Sequence, residues 1–372
     1  MKVDGQHYRS IWLEDGERSV FVIDQTLLPF EFRIRQLRST AETIDAIATM
    51  VVRGAPLIGA TAACGLFLAA QEDPSDKYLK ESANRLLAAR PTAVNLGWAL
   101  ERMLPQLLGE PITDRVEAAR FAAQNICDED VGINSQIGTH GLQLLTERCH
   151  LGEKDEPFNI LTHCNAGWLA TVDWGTALSP IFKAHDAGMN IHVWVDETRP
   201  RNQGASLTAW ELQAHDVPHT VIADNAGGHL MQHGQVDACI VGSDRTTRSG
   251  DVCNKIGTYL KALAAKANDV PFFAAIPSST IDWTISDGIS EIPIEERASI
   301  EVTHITGVDE NNQPIRVRLT PEGSQAANPA FDVTPRNYVS GIITERGVCE
   351  ASETALLNLY PEQAKKQQKS HG

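Results

Sequence analysis

After residue 157 the chain alternates short apolar segments with helix-compatible ones, and this alternation constrains the fold more than any other feature of the sequence. Apolar runs of four to six residues separated by helical segments are typical of βαβ units, whose strands lie parallel in one sheet. The sequence therefore predicts a doubly wound α/β sheet. The five predicted strands cover residues 158–162, 191–195, 219–222, 238–241 and 271–276.

The first part of the chain has a different character. Residues 19–29 form an apolar run that ends in proline, which predicts a strand and a turn. Helical patterns follow: residues 40–43 resemble a capped helix start, and Asp114 begins another long helical segment. The sequence thus predicts a Rossmann-like, doubly wound parallel sheet in the C-terminal part, preceded by a smaller, mainly helical N-terminal domain with a few short strands.

The length of 372 residues exceeds the usual size of a single hydrophobic core, so two domains are expected. A charged, glycine-containing segment at 151–157 separates the helical pattern from the alternating one and has the composition of a linker. We place the boundary near residue 150, which gives an N-terminal domain of residues 1–150 and a C-terminal domain of residues 151–372.

The formal net charge of −16 excludes some classes of partner. An acidic protein offers no basic surface to hold DNA or RNA, so we expect no nucleic-acid partner. The N-terminus has no apolar signal segment, and no apolar run approaches the roughly 20 residues that span a bilayer. These observations predict a soluble, cytoplasmic protein without a membrane partner.

Cysteine and histidine spacing gives no support for a metal site. The seven cysteines are scattered and include no C-x-x-C pair, which argues against a disulfide framework or structural zinc and leaves room for one functional thiol. His229 and His233 lie one helical turn apart without the glutamate of a zinc-binding helix, so a solvated helix face is the preferred interpretation. Neither phosphate-loop nor dinucleotide fingerprint is present, and we expect no metal and no cofactor.

Polar and reactive side chains follow three of the apolar segments. One run ends at Cys164, a second runs through Asp196 to Gln203, and a third ends at Asp244. Ligands of open parallel sheets gather beyond the carboxyl ends of the strands, so these three ends can converge on one site. Taken alone, Cys164 is better explained as an inert core thiol, because free cysteine is among the most buried residue types; the other two strand ends reverse that preference.

Three cationic segments are candidates for binding an anion. Arg53 stands beside Gly54 where Pro56 opens an Ala-rich segment, an arrangement that suits a phosphate at a helix N-terminus. A packing turn with Arg53 on the surface explains the same residues. Arg90 precedes a segment that starts with proline, although an exposed arginine is the simpler interpretation there, and Lys255 precedes a third helix start.

Two further groups are considered for acid–base chemistry and disfavoured. Asp196 and Glu197 are adjacent, and neighbouring residues of a strand face opposite sides, so only one can face a given ligand. His163 precedes Cys164 and would be its natural base in an acyl-transfer site. The same alternation directs these two side chains apart, which weakens a cysteine–histidine mechanism.

Taken together, the motifs resemble the family of methylthioribose-1-phosphate isomerases, over nearly the whole chain from about residue 27 to 348. The wider superfamily includes ribose-1,5-bisphosphate isomerases, deoxyribose-1-phosphate isomerases and regulatory subunits of a translation-initiation nucleotide exchange factor. Those subunits lack the catalytic pair, whereas this chain keeps Cys164 and Asp244. The motifs are RGAPLIG at 53–59, RPTAVNL at 90–96, THCNAGWLAT at 162–171, DETRPRNQG at 196–204, VGSDR at 241–245 and NKIGT at 254–258.

The resemblance implies interconversion of 5-methylthioribose 1-phosphate and 5-methylthioribulose 1-phosphate in methionine salvage, by a homodimer. It implies Asp244 as the acid, held protonated by apolar surroundings, and Cys164 as the base, with a thiolate supported by N–H dipoles and arginine. Whether hydrogen moves as a proton or a hydride stays open. It implies that Asn254 faces the sugar and that the phosphate is held by Arg53, Gly54, Ala55, Arg90, Gln203 and Lys255.

Two alternatives remain at this stage. Another 1-phosphorylated pentose, such as 5-deoxyribose 1-phosphate or ribose 1,5-bisphosphate, requires the same acid, base and phosphate-binding groups. A non-catalytic regulatory subunit would keep the fold and the phosphate loop, and the retention of both Cys164 and Asp244 disfavours it.

Overall fold

The computed structural model describes residues 1–14, 16, 18–90, 94–149 and 156–370. Its first strands are short: β1 and β2 pair as a hairpin, and β3, β4 and β5 form an antiparallel sheet in that order. The predicted strand within residues 19–29 is the central strand of this sheet. The bounds are β1 Lys2–Val3, β2 Gln6–His7, β3 Ile11–Leu13, β4 Val20–Ile23 and β5 Ile34–Leu37.

Five helices follow and form the bulk of the N-terminal part. The predicted capped start is present one residue earlier than expected, because Ser39, rather than Thr40, accepts a hydrogen bond from the backbone N–H of Glu42. The long helix expected from Asp114 begins at Arg115. The bounds are α1 Thr40–Ala48, α2 Ala55–Glu72, α3 Asp76–Ala89, α4 Val94–Gly109 and α5 Arg115–Cys149.

Helix α2 is the apolar centre of this helical part. Among the residues that the structure describes, it is the one helix long and apolar enough to cross a membrane, yet 83% of that window is buried inside the fold. Small residues let its neighbours approach: a Cβ added to Gly65 would come within 2.9 Å of the side chains of Thr43 and Leu86. The helix is therefore explained by packing in the protein core.

The C-terminal part is built on a seven-stranded sheet with the order β18-β17-β12-β9-β6-β7-β8. All neighbouring strands are parallel except the edge pair β17 and β18. The bounds are β6 Phe158–Thr162, β7 Ile191–Asp196, β8 His219–Ile222, β9 Ala238–Val241, β10 Arg245–Thr247, β11 Val252–Lys255, β12 Phe272–Ala275, β13 Ile281–Asp282, β14 His304–Val308, β15 Pro314–Arg318, β16 Phe331–Thr334, β17 Gly341–Thr344 and β18 Gly347–Cys349.

Helices cover both faces of this sheet, as a doubly wound fold requires. Successive residues of β6 enter different cores: Ile160 packs with Phe182 on one face, and Leu161 packs in the cluster with Ala262 on the other. The predicted fold class is confirmed. The helix bounds are α6 Leu178–Asp186, α7 Ala209–Ala214, α8 Gly227–Gln232, α9 Thr258–Ala267, α10 Gly288–Glu291, α11 Ile300–Thr303, α12 Glu353–Leu359 and α13 Pro361–Ser370.

Strands that the sequence did not predict form a second, four-stranded sheet with the order β13-β10-β11-β16. A separate hairpin, β14 and β15, stands beside it. The domain boundary near residue 150 stays a prediction, because residues 150–155, which include most of the proposed linker, lie outside the described residues.

Candidate active site

The strand order of the main sheet reverses between β6 and β9. From β6 the chain adds β7 and β8 on one side, and it then returns to add β9, β12 and β17 on the other. In open α/β sheets, ligands bind in the crevice at such a switch point, outside the carboxyl ends of the strands. Cys164 follows β6 and Asp244 follows β9, so the topology brings both to the same crevice.

A cavity occupies this crevice, and every candidate site residue from the sequence lines it. The arginines come from the helical part and the acid–base candidates from the sheet. The nine candidates in its wall are Arg53, Gly54, Ala55, Arg90, Cys164, Gln203, Asp244, Asn254 and Lys255. The structure thus brings these residues together, whereas their chemical roles stay predictions.

The Cys164 backbone is fixed in the left-handed region, with φ of 69°. Its N–H donates to Thr198 Oγ1 at 2.8 Å, and its carbonyl accepts from Thr208 Oγ1 at 2.7 Å. The thiol donates to Gln203 Oε1 at 3.3 Å. A non-glycine residue in this conformation persists only where its surroundings determine it, so the turn holds the thiol at the cavity wall. The interpretation of Cys164 as an inert core thiol is therefore disfavoured.

The electrostatic surroundings of the thiol only partly support a thiolate. Burial raises the pKa of Cys164, while the positive charges of Arg53 and Lys255 lower it. Asp244 raises it further. Burial and the hydrogen bond to Gln203 Oε1 thus favour the thiol, whereas the two cations favour the thiolate.

His163 is turned away from Cys164, as strand alternation predicts. Its Nδ1 is 2.8 Å from Asp196 Oδ2, and its Nε2 is 2.8 Å from the carbonyl oxygen of Ile256. The imidazole thus links β6 to β7 and to the residue after β11. A cysteine–histidine pair is not formed.

His163, Asp196 and Asp224 offer ligand atoms within 4.8 Å of one another, the arrangement of a possible metal site. The Lys261 ammonium already lies there, 3.0 Å from Asp196 Oδ2 and hydrogen-bonded to the carbonyl oxygen of Asp224. The cluster is therefore an ion-pair network whose cation is a lysine, and it does not fit a metal ion.

Asp244 has the surroundings that an acid needs. Burial raises the pKa of its carboxyl, whereas Lys255, Arg90 and Arg53 lower it. Its backbone N–H donates to the Cys253 carbonyl at 2.9 Å, which ties the end of β9 to β11. The direction of the pKa shift agrees with a carboxyl that carries a proton near neutral pH.

Arg53 is not a surface charge, since only 5% of the residue is exposed. Its Nη1 donates to Asn165 Oδ1, and its Nη2 donates to the Asn165 carbonyl at 2.7 Å. Gly54 has φ of 93°, and an added Cβ would lie 2.5 Å from backbone atoms of Ala170. Helix α2 therefore begins against the cavity, with its first N–H groups beside a buried guanidinium.

Arg90 also reaches the cavity, with 13% of its side chain exposed, so the interpretation as an exposed arginine is wrong. Its Nη2 lies 3.9 Å from Glu295 Oε2, too long for a hydrogen bond. Within the part of the chain that the structure describes, Nε and Nη1 of Arg90 have no hydrogen-bond partner. A buried guanidinium with open N–H groups suits an anion. The predicted proline start at 91 lies outside the described residues.

Asn254 and Lys255 lie on β11, a strand that the sequence did not predict, and their segment leads into a helix as expected. Helix α9 starts three residues later, and Asn254 Nδ2 donates to Thr258 Oγ1 at 3.0 Å. Lys255 Nζ lies 4.7 Å from the centre of the Phe331 ring. Burial lowers the pKa of Lys255, while Cys164 and Asp244 raise it.

Sequence reasoning missed several lining residues. Asn165 and Ala166 directly follow the cysteine, and proximity to Cys164 was a signal that they would line the site. Met50 and Phe331 carry no such signal, because a single apolar residue in a loop or strand is usually core.

A cleft of about 410 Å³ adjoins the cavity and shares Met50, Arg53 and Gln203 with it. One wall is apolar and comes from residues 27–30, with Leu207 nearby. The hairpin β14 and β15 contributes the opposite wall. The two spaces together offer a polar end beside Cys164 and a longer arm that leads away from it.

Comparison with known proteins identifies the class that this fold and site define. A family model described as the Initiation factor 2 subunit family matches residues 51–351. The chain belongs to this family. It is 61% identical over 365 residues to the methylthioribose-1-phosphate isomerase of Methylorubrum populi, a match that covers 98% of this chain and 100% of the relative.

Solved structures give the same picture. The 5-methylthioribose 1-phosphate isomerase of Pyrococcus horikoshii is 39% identical, with a TM-score of 0.81 over 96% of each chain. The translation initiation factor eIF-2B subunit delta from A. fulgidus is 38% identical, with a TM-score of 0.78 over 95% of this chain and 99% of that one. The family resemblance inferred from the motifs is confirmed.

Proposed function

We propose that this protein is an aldose–ketose isomerase that interconverts 5-methylthioribose 1-phosphate and 5-methylthioribulose 1-phosphate. One observation carries the proposal: an acid–base pair, Cys164 and Asp244, shares a cavity with three cations, Arg53, Arg90 and Lys255. The relative from Methylorubrum populi, at 61% identity, bears the name of this activity.

The reaction explains why an acid is needed. The anomeric oxygen of the substrate carries phosphate, so the sugar ring cannot open simply to a free aldehyde. Breaking the bond between C1 and the ring oxygen requires a proton on that oxygen. Asp244 supplies it, because burial raises the pKa of its carboxyl and so favours the protonated form.

Cys164 serves as the base in either route for the hydrogen that leaves C2. In the proton route, the cysteine removes the C2 proton and returns it to C1 through an enolate-like species. In the hydride route, the C2 hydrogen moves with its electron pair to C1, and Cys164 takes the proton of the C2 hydroxyl as the ketone forms. Arg53 and Lys255 lower the pKa of Cys164 against the effect of burial, and so favour the thiolate, the form that can take up a proton in both routes.

The phosphate is held at the start of α2. Arg53 and Arg90 offer guanidinium N–H donors, the backbone at Gly54 and Ala55 offers free helix N–H groups, and Lys255 completes the positive surroundings. Gln203 also contributes to the phosphate site, and Asn254 faces the sugar. Because the phosphate stays bonded to C1, this anchoring also positions C2 against Cys164.

The apolar residues 27–30 in the wall of the neighbouring cleft suit a methylthio group at C5, while Arg201 and Arg316 line the same cleft. Isomerases of other 1-phosphorylated pentoses would use the same acid, base and phosphate groups, so the C5 substituent is the discriminating feature. The non-catalytic alternative is based on the structural similarity of this chain to the translation initiation factor eIF-2B subunit delta from A. fulgidus. The homodimer and the cytoplasmic location remain predictions.

A substrate panel tests the proposal. Purified protein is incubated with 5-methylthioribose 1-phosphate, 5-deoxyribose 1-phosphate and ribose 1,5-bisphosphate, and products are followed by phosphorus and carbon NMR. We expect the ketose 1-phosphate from the methylthio sugar with the highest kcat/KM. Preference for another pentose would reassign the substrate, and absence of turnover with all three would favour the regulatory alternative.

A further inference from the structure

Glu211 is a buried acidic residue that the proposed chemistry does not use. It lies on α7, and only 1% of the residue is exposed. A carboxylate in such a place needs several hydrogen bonds to offset the loss of water. The partners that it has are all on the loop after β6, which carries Cys164.

Glu211 binds this loop at three points. Oε1 accepts from Asn165 Nδ2 at 2.8 Å and from the Leu169 N–H at 3.1 Å. Oε2 accepts from the Trp168 N–H at 2.8 Å. The last two groups open the short 3-10 helix Trp168–Ala170, so the carboxylate caps it. A Cβ on Gly167 would overlap the carboxylate, which explains the glycine there.

Asn165 connects this carboxylate to the cavity. Its amide donates to Glu211 through Nδ2, and its Oδ1 accepts from Arg53 Nη1. This is the one amide orientation that satisfies a carboxylate on one side and a guanidinium on the other. Burial lowers the pKa of Arg53 and raises that of Glu211 to about 7, and each of the two groups opposes the shift of the other.

We propose that Glu211 is a positioning residue that, through Asn165, orients the Arg53 guanidinium toward the phosphate of the substrate. The inference rests on the proposed function, because it assigns Arg53 to the phosphate. Without Glu211, Asn165 keeps its acceptor for Arg53 and its longer hydrogen bond from Nδ2 to Thr208 Oγ1 at 3.1 Å, but it loses the shorter, charge-assisted bond that helps to fix its amide plane. The guanidinium would then lose its single orientation, and phosphate binding would weaken more than the chemical step.

Glu211→Gln is the test variant, because it keeps the shape but turns an acceptor into a donor that faces backbone N–H groups. Asp130→Asn is its matched control. Asp130 is also a buried carboxyl and accepts from the Val172 N–H of the same loop at 2.7 Å, yet Asn165 is not among its partners. A purely structural loss would affect both variants alike.

We expect Glu211→Gln to raise KM for the sugar phosphate about 10-fold, the size of one charge-assisted hydrogen bond, with kcat changed less than about threefold. The dissociation constant for inorganic phosphate, measured by calorimetry, should rise by a similar factor. Asp130→Asn should leave both constants unchanged. Equal KM values in Glu211→Gln and Asp130→Asn would overturn the inference.

Coupling to Arg53 is the decisive readout. In an Arg53→Ala background, Glu211→Gln should raise KM no further, because the residue through which it acts is gone. If the two separate increases in KM multiply in the double variant, Glu211 acts independently of Arg53 and the inference is overturned. If Glu211→Gln fails to fold, Asn165→Ala breaks the same link and leaves the Glu211 bonds to the backbone; it should reproduce the KM increase, and a parental KM would contradict the proposal.

Failure of the proposed function gives a different pattern. If the parent protein neither converts a sugar 1-phosphate nor binds inorganic phosphate, both the function and this inference fall. If the parent does both and Glu211→Gln behaves like the parent, only the inference falls.

Discussion

At the scale of the residue, burial acts on Asp244 and Cys164 in the same direction but with different chemical consequences. It raises the pKa of both groups. For Asp244 this keeps the proton that an acid must give. For Cys164 it opposes the thiolate that a base needs, so the nearby Arg53 and Lys255 serve the thiol as well as the phosphate.

The acid–base assignment predicts large losses of turnover. Cys164→Ser and Asp244→Asn should each lower kcat at least about 100-fold, the low end for loss of general acid–base chemistry. Circular dichroism should show retained folding. Cys349→Ser, at a half-buried thiol on β18, is the control and should keep parental kcat. Near-parental turnover in either test variant would remove that residue from the mechanism.

The open N–H groups of Arg90 predict a role in binding. Arg90→Ala should raise KM by roughly 10- to 150-fold, as expected for a lost charge-assisted contact, with a smaller fall in kcat. Arg90→Lys keeps the charge but loses the fork, so it should restore only part of the affinity. Arg102→Ala, at an exposed arginine paired with Glu129, is the control in steady-state kinetics. A parental KM for Arg90→Ala would place the phosphate elsewhere.

At the scale of the element, the site depends on close contact between the start of α2 and the turn at 168–170. Gly54 makes this contact possible, because its φ of 93° and its lack of a side chain both allow Ala170 to approach. A shift of either element would move the helix N-terminus away from Arg53 and Cys164. The packing of backbone on backbone thus fixes the phosphate end.

This contact predicts an unequal effect of two glycine substitutions. Gly54→Ala and Gly188→Ala both strain a backbone with positive φ, but the Cβ of Gly188→Ala meets nothing within 4 Å. Gly188→Ala should cost about 1–2 kcal/mol in urea unfolding, the strain alone. Gly54→Ala should cost more and also raise KM. Equal costs with a parental KM would show that α2 can move without consequence.

Five of the seven main-sheet strands could be predicted from short apolar runs between helix-compatible segments, whereas β17 and β18 were not predicted. Strands β6, β8 and β9 have the predicted bounds, whereas β7 is one residue longer and β12 is shorter. The second sheet could not be predicted: its strands have two to four residues, and β11 pairs with β16 far along the chain. For that reason Lys255 was placed correctly before the start of α9, but the strand on which it lies was not predicted.

The candidate site was also predicted only in part from the sequence. Its nine residues were found because together they match family motifs, although each segment alone had a plain structural explanation. Residue Glu211 could not be found, since an acidic residue in a short helix is usually solvated. Its importance depends on a tertiary contact between α7 and the loop after β6, which no local pattern encodes.

At the scale of the whole molecule, buried carboxyls determine part of the response to pH. Burial raises the pKa of Asp130 to about 7, against the opposing hydrogen bond from Val172. An unfolded aspartate titrates near 3.9. The native state therefore holds a proton that the unfolded state releases between these values, and the stability from this group is lost as the pH rises toward 7.

Asp130→Asn removes this titration and should flatten the pH dependence. When the pH is raised from 5.5 to 8, the difference in unfolding free energy between the variant and the parent should shift by about 2 kcal/mol in favour of the variant. Urea unfolding at fixed protein concentration measures this difference. Asp128→Asn, at an exposed position on the same helix, should give no such gain. If the difference in unfolding free energy between Asp130→Asn and the parent is the same at pH 5.5 and pH 8, Asp130 is ionised throughout this range.

The walls of the cavity come from both halves of the chain: Arg53 and Arg90 precede residue 150, whereas Cys164 and Asp244 follow it. Neither half by itself holds both the two arginines proposed to bind the phosphate and the acid–base pair. If the chain were produced as two separate polypeptides divided near residue 150, neither would catalyse the reaction alone. Turnover would require that the two polypeptides associate. The turnover rate of a mixture of the two fragments would therefore measure how much of the complete site has reassembled.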